Sequence, residues 1–197
     1  QYNIINKQIK LRINKVLKNG QYIMGEEIDK LESSLANFVQ TKYCISCSSG
    51  TDALIMALMA KNAGPGKAII TTPFTYIATA EAIQLVGATP VFIDIDKNTF
   101  NINPNLIEEG VKNAIKNNLD PVGIIPVDLF GLPANYLAIK KIAKKYNLFI
   151  IEDAAQGLGG KFKNKFAGSF GDIGITSFFP AKPLGCYGDG GAIFTNN

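Results

Sequence analysis

Leu148-Phe149-Ile150-Ile151-Glu152-Asp153-Ala154-Ala155-Gln156 decides how this chain is read. Four apolar residues run into two acids, and a glutamine follows three residues after the second. A short apolar run without alternation is a strand buried on both faces, as in a parallel sheet with helices above and below. In such sheets ligands collect beyond the carboxyl ends of the strands. Asp153 and Gln156 lie at such an end, so chemistry is to be sought there and after every other strand.

Working towards the N-terminus, residues 133–146 have helical periodicity, and Val122 to Val127 is a strand. Residues 104–117 form a helix that Pro104 can open at its first turn. Pro90 to Asp94 and Ala68 to Thr71 are strands that flank a helix over 75–86, closed by Gly87. A helix over 51–62 ends at Gly64-Pro65-Gly66, and residues 43–48 are a strand. Two helices come first, over 5–18 and after Gly25, where Ile28, Leu31, Leu35 and Phe38 are helically spaced. Towards the C-terminus, Ile173 to Phe178 and Ala192 to Thr195 are strands. Strands that alternate with helices predict an α/β fold, a three-layer αβα sandwich around a mostly parallel central sheet.

Composition narrows the function. The 197 residues are 47% hydrophobic and 18% charged, which excludes a disordered chain. No apolar run reaches the roughly 20 residues of a membrane span, and no secretion signal opens the chain. The net charge of +4 is carried almost wholly by dispersed lysine, with Arg12 the only arginine. The cluster Lys140, Lys141, Lys144 and Lys145 falls on the solvent face of its helix, so no nucleic-acid partner is expected. Histidine is absent. This removes Ser-His-Asp and Cys-His catalysis and the commonest metal ligand. Three cysteines make no disulfide framework and read as a reduced, cytoplasmic protein. Cys44 and Cys47 are three apart on a strand and point to opposite faces, so they are expected to pack rather than to hold a metal.

Four segments after strands carry candidate chemistry. Ser48-Ser49-Gly50-Thr51-Asp52 leads from a strand into a helix N-terminus, which suits an anion such as phosphate or simply a cap. Thr75-Tyr76 places an aromatic where it can stack on a planar ring, while the neighbouring Phe74 is expected to pack in the core. Asp153 can face a cation or cap a helix. Lys182, in Ser177-Phe178-Phe179-Pro180-Ala181-Lys182-Pro183, is the lysine with the most apolar neighbours, where an amine becomes nucleophilic or snorkels to water. Gly188-Asp189-Gly190-Gly191 reads as a tight turn. One ligand fits all four segments: it has a phosphate (Ser49 to Thr51, Ser177), a planar ring (Tyr76), a basic ring nitrogen (Asp153) and an aldehyde (Lys182). That ligand is pyridoxal 5′-phosphate.

These segments resemble the DegT/DnrJ family of sugar-nucleotide aminotransferases. The resemblance runs from Tyr22-Ile23-Met24-Gly25 to the last residue. Its blocks are Ser49-Gly50-Thr51-Asp52-Ala53-Leu54, Thr75-Tyr76-Ile77-Ala78-Thr79, Gly87-Ala88-Thr89-Pro90-Val91-Phe92, Glu152-Asp153-Ala154-Ala155-Gln156 and Ser177 through Ala192. It implies the large domain of a fold-type I pyridoxal-phosphate enzyme, with residues 1–25 a leading helix and connection, residues 26–197 the incomplete large domain, and the smaller C-terminal domain absent. It implies that Gly50, Thr51 and Ser177 hold the phosphate, that Tyr76 stacks on the ring and that Gln156 reaches the ring hydroxyl. Asp153 and Lys182 become the catalytic pair. The implied reaction moves an amino group from L-glutamate to a nucleotide-linked keto sugar for polysaccharide biosynthesis, in a homodimer. Two other readings are a sugar dehydratase of the same family and a non-catalytic domain. Dehydratase members carry histidine where Lys182 stands. One further departure is Asp128, in Pro126-Val127-Asp128-Leu129-Phe130-Gly131, where the family often has histidine.

Overall fold

The computed structural model describes residues 2–197; Gln1, the first residue of the leading segment expected above, lies outside them. Helix α1 (Tyr2–Asn19) leads into α2 (Glu26–Val39), strand β1 (Tyr43–Cys47) and α3 (Gly50–Ala60). Then come β2 (Lys67–Thr71), α4 (Ala78–Leu85), β3 (Thr89–Phe92), α5 (Pro104–Lys116) and β4 (Asp120–Ile124). A 3₁₀ turn (Leu129–Gly131) and α6 (Tyr136–Tyr146) precede β5 (Phe149–Asp153). A small hairpin, β6 (Lys161–Phe162) and β7 (Lys165–Phe166), stands apart from the sheet, and β8 (Ile173–Ser177) and β9 (Gly191–Thr195) complete it.

The seven-stranded sheet has the order β1-β9-β8-β5-β4-β2-β3. Pairings from β8 through β3 are parallel, and β9 runs antiparallel to both β8 and β1. The expected mostly parallel α/β architecture is what the chain adopts. β1 therefore points the same way as the parallel strands, and the carboxyl ends of β1, β8 and β5 meet at one edge.

Helices cover both faces because the strands are apolar on both. On β5, Ile150 joins the cluster with Ile107, Val111 and Ile139 of α5 and α6. Its neighbour Ile151 joins the opposite cluster with Ala53, Leu54 and Ile83 of α3 and α4. A third cluster seats α2, through Leu35 and Val39, against Cys44 and Phe194. Cys44 lies in that cluster and Cys47 packs against the α3–α4 cluster, so the two thiols do face opposite ways. Burial pushes the Cys44 thiol up to about 12, which makes it inert. The four lysines of α6 are exposed as its periodicity requires. Among the described residues no helix is long and apolar enough to cross a membrane.

Several boundaries differ from expectation. The strand expected through Val127 stops at Ile124, and Val127 makes an isolated bridge to Asp153. The helices expected from 75 and 133 begin at Ala78 and Tyr136. In both cases the chain first crosses the sheet edge, and those crossings build the site.

Candidate active site

At the carboxyl edge lies a cavity of about 830 Å³. Its wall includes the eight candidate site residues Ser49, Gly50, Thr51, Tyr76, Asp153, Gln156, Ser177 and Lys182. Residues far apart in the chain converge because each follows a strand that ends there.

One wall of the cavity is the N-terminus of α3. Ser49 is its N-cap, and its Oγ accepts the Asp52 N–H at 3.0 Å and donates to Asp52 Oδ2 at 2.8 Å. Ser48 donates to the same oxygen at 2.5 Å. These two hydroxyls hold the Asp52 carboxyl below its ordinary range. They keep it ionised at the helix start; the Asp52 N–H is taken by Ser49 Oγ, while the N–H groups of Gly50 and Thr51 have no acceptor within the helix. Gly50 is buried against Ser177, and a Cβ at Gly50 would lie 2.7 Å from Ser177 Cβ. Only glycine lets the hydroxyl of Ser177 come up beside the first turn. Ser177 Oγ accepts the Phe179 N–H at 3.2 Å.

Asp153 closes the far side. It is buried, its Oδ1 accepts the Ala155 N–H at 3.1 Å, and its Oδ2 accepts from Thr79 Oγ1 at 2.9 Å. Thr79 in turn meets Thr75 Oγ1 at 3.1 Å. Burial raises the Asp153 carboxyl above its usual range, while the Ala155 and Thr79 donors and the charge of Lys182 pull it down. A buried acid in this state favours a cationic partner.

Lys182 and Tyr76 stand over the opening. The Lys182 Nζ lies 6.0 Å from the centroid of the Tyr76 ring, which is 68% exposed. The loop carrying Lys182 is pinned by its own backbone, with Lys182 N–H on Phe179 O and Cys186 N–H on Phe178 O, both at 2.8 Å. Gln156 lines the cavity, and its Oε1 accepts the Phe130 N–H at 3.0 Å. Phe130 has φ 55, a left-handed backbone that a bulky residue rarely adopts, and is 73% exposed at the lip.

Three features were not anticipated from the sequence. Thr79 orients Asp153; it stands in the Thr75-to-Thr79 block of the resemblance, where it was given no role of its own. Phe130 and Asp189 also line the cavity, the latter from what read as a plain turn. Phe74, expected in the core, is 46% exposed and packs its ring 5.8 Å from that of Phe100. The crossing from β2 to α4 passes over the sheet edge, where helices no longer cover it.

Residues 3–197 match the DegT/DnrJ/EryC1/StrS aminotransferase family. The chain belongs to that family. Over 193 residues it is 51% identical to a UDP-2-acetamido-2-deoxy-3-oxo-D-glucuronate aminotransferase of Pseudomonas aeruginosa, covering 98% of this chain and 52% of that protein. The structure superposes on a DegT/DnrJ/EryC1/StrS aminotransferase from Brucella abortus with a TM-score of 0.98 at 49% identity, over 100% of this chain and 53% of that one. It also resembles NtdA of Bacillus subtilis, solved with bound cofactor PMP, with a TM-score of 0.90 at 34% identity, over 99% of this chain and 42% of that one. The chain thus spans about half the length of these family members.

Proposed function

We propose that this chain is the cofactor-binding part, residues 26–197, of a pyridoxal-phosphate-dependent aminotransferase acting on a nucleotide-linked keto sugar, with residues 1–25 as a leading helix and connection. The observation that carries the reading is the convergence of Lys182, buried Asp153 and the α3 N-terminus on one cavity. The residues fit the group. The glycine cradle at Gly50 and Ser177 suits a phosphate, and the raised carboxyl of Asp153 suits a ring nitrogen that carries a proton.

Bound pyridoxal phosphate supplies an aldehyde for amines and a ring that takes up electrons. The chain does the rest. First-turn N–H groups of α3 and the Ser177 hydroxyl bind the phosphate. Tyr76 covers one ring face. Asp153, steadied by Thr79, holds a proton at the ring nitrogen. Lys182 would supply the amine that holds the cofactor, and its Nζ would be the group placed to move a proton at the donor's α-carbon. L-Glutamate is the donor and a UDP-linked N-acetyl keto sugar the acceptor; the Pseudomonas relative's name supports the latter. Tyr76 and Phe130, both largely exposed at the lip, support a homodimer in which a second subunit covers the opening. Three unpaired cysteines support a cytoplasmic setting.

Reduction with borohydride in the presence of pyridoxal phosphate is expected to leave the cofactor on the peptide containing Lys182. Lys182→Ala is expected to lose both this label and the visible absorbance. Label on another lysine, or absorbance kept by Lys182→Ala, overturns the assignment. Amino transfer is then read on the loaded protein with UDP-linked keto sugars.

A further inference from the structure

Asp128 is fully buried, and the site described above gives it nothing to do. It follows Val127, which bridges to Asp153, and its own N–H donates to Asp153 O at 2.9 Å. Alternation along the strands puts Val127 and Asp153 on the cavity face and turns Asp128 and Glu152 to the α5–α6 face. Both carboxyls are therefore buried in the same layer.

Their hydrogen bonds are unequal. Glu152 is purely an acceptor. Its Oε1 takes the Gly168 N–H, and its Oε2 takes the N–H groups of Phe170 at 2.5 Å and Gly171 at 3.2 Å. Asp128 Oδ1 is also an acceptor, from the Ala134 N–H at 2.9 Å and the Tyr136 hydroxyl at 2.8 Å. Asp128 Oδ2 is buried and is the one buried side-chain oxygen or nitrogen without a partner among the described residues. Gly157 backs onto this oxygen; a Cβ there would come within 3.1 Å of it. Three N–H donors stabilise an anion at Glu152, and two such anions side by side in a dry wall repel. One proton held between the two carboxyls removes the repulsion and gives Asp128 Oδ2 a partner.

We propose that Asp128 and Glu152 share one proton, held between Asp128 Oδ2 and the Glu152 carboxyl, and that Asp128 is thereby a positioning residue behind Asp153. Burial raises both carboxyls, in keeping with a proton held between them. The other titratable groups facing the pair are Tyr136 and Lys140 from α6 and Asp153 from the adjoining position on β5. Lys165 of the small hairpin and Asp172 act on Lys140. With the pair carrying one charge, Asp153 meets one neighbouring anion rather than two. The same residue ties the 128–136 segment down, and with it Phe130 and its bond to Gln156. The link to Asp153 as ring-nitrogen partner rests on the function proposed above, whereas the shared proton does not.

Carboxyl carbon-13 titration of the cofactor-free protein tests both parts. One proton is expected to stay on the pair after the exposed carboxylates have ionised, and the Asp153 carbon is expected to register its loss at alkaline pH. Asp128→Asn presents an N–H donor and a carbonyl acceptor in the same places. It should abolish that alkaline step, keep the neutral-pH midpoint of unfolding near that of the parent protein and exceed it at alkaline pH. Asp128→Ala should be far less stable at all pH values. Two ionised carboxyls at neutral pH in the parent protein overturn the shared proton, whether or not the variants fold. Asp128→Asn as damaged as Asp128→Ala overturns it too. An Asp153 carbon blind to the alkaline step overturns the positioning role alone. Borohydride labelling of Lys182 reads the cofactor assignment independently of all three outcomes.

Discussion

Adjacent acids at the end of β5 do opposite things because a strand turns them to opposite faces. Asp153 looks into the cavity, and Glu152 looks into the α5–α6 layer, where it collects three backbone donors. The sequence marked Asp153 through its place at a strand end, but it held no sign that Glu152 would serve the 168–171 loop. That partnership spans more than fifteen residues and depends on how the loop returns. Thr79 was equally hidden, since a threonine in the first turn of a helix is ordinary. Its single donated bond sets the orientation of Asp153 Oδ2. Thr79→Val keeps the volume and removes the donor. A buried acceptor left without its donor costs about 1–3 kcal/mol. The expected outcome is a cofactor dissociation constant raised by about 10-fold or more, with the fold kept, measured by fluorescence or absorbance titration. An unchanged constant would show that the Ala155 N–H alone suffices to hold Asp153.

The elements were legible where periodicity ran long and blurred where strands handed over to loops. Helices α2, α3, α5 and α6 and all seven strands of the main sheet overlap the stretches where apolar spacing puts them, with β4 ending three residues short of Val127. The hairpin β6–β7 was not read, because two-residue strands of Lys-Phe and Lys-Phe carry no period. Periodicity places the starts of α4 and α6 three residues early, since helix-compatible residues there are drawn over the sheet edge by the cavity wall. At α6 the true start is set by Asn135, whose side chain accepts the Ala138 N–H at 3.2 Å. This cap also fixes Tyr136, which donates to Asp128 and stacks on Phe170 with centroids 4.7 Å apart. Asn135→Ala should cost about 1 kcal/mol, a fall of about 2–4 °C in the unfolding midpoint for a chain of this size. Calorimetry with and without cofactor checks it: the fall is expected in both, with cofactor affinity unchanged. A fall seen only in the loaded protein would move the role of Asn135 from the helix to the site.

For the whole molecule, placing three buried carboxyls at one edge of the sheet sets how stability follows pH. Burial raises Asp128, Glu152 and Asp153 above the range of an unfolded carboxylate. From about pH 4 upward the folded chain therefore binds more protons than the unfolded one, and stability falls as pH rises through that window. Exposed Glu26 and Glu108 act the other way. Their lysine partners hold each at about 2, so their contribution is lost as pH drops below the unfolded range. Such surface pairs are weak and screened by salt, so the buried group dominates. The cofactor-free protein should be most stable in mildly acid solution and should lose stability towards neutral and alkaline pH. On the function proposed above, pyridoxal phosphate would bring a cationic ring nitrogen to Asp153 and relieve that member of the three. Saturating cofactor should raise the unfolding midpoint at every pH, by about 2.7 kcal/mol of stabilisation at 100 times its dissociation constant, and should also flatten the decline. Unfolding curves across the pH range, with and without cofactor, separate the two effects. A parallel upward shift with the slope intact would mean that the bound ring leaves Asp153 uncompensated, and Asp153 would then lose its place as the partner of the ring nitrogen.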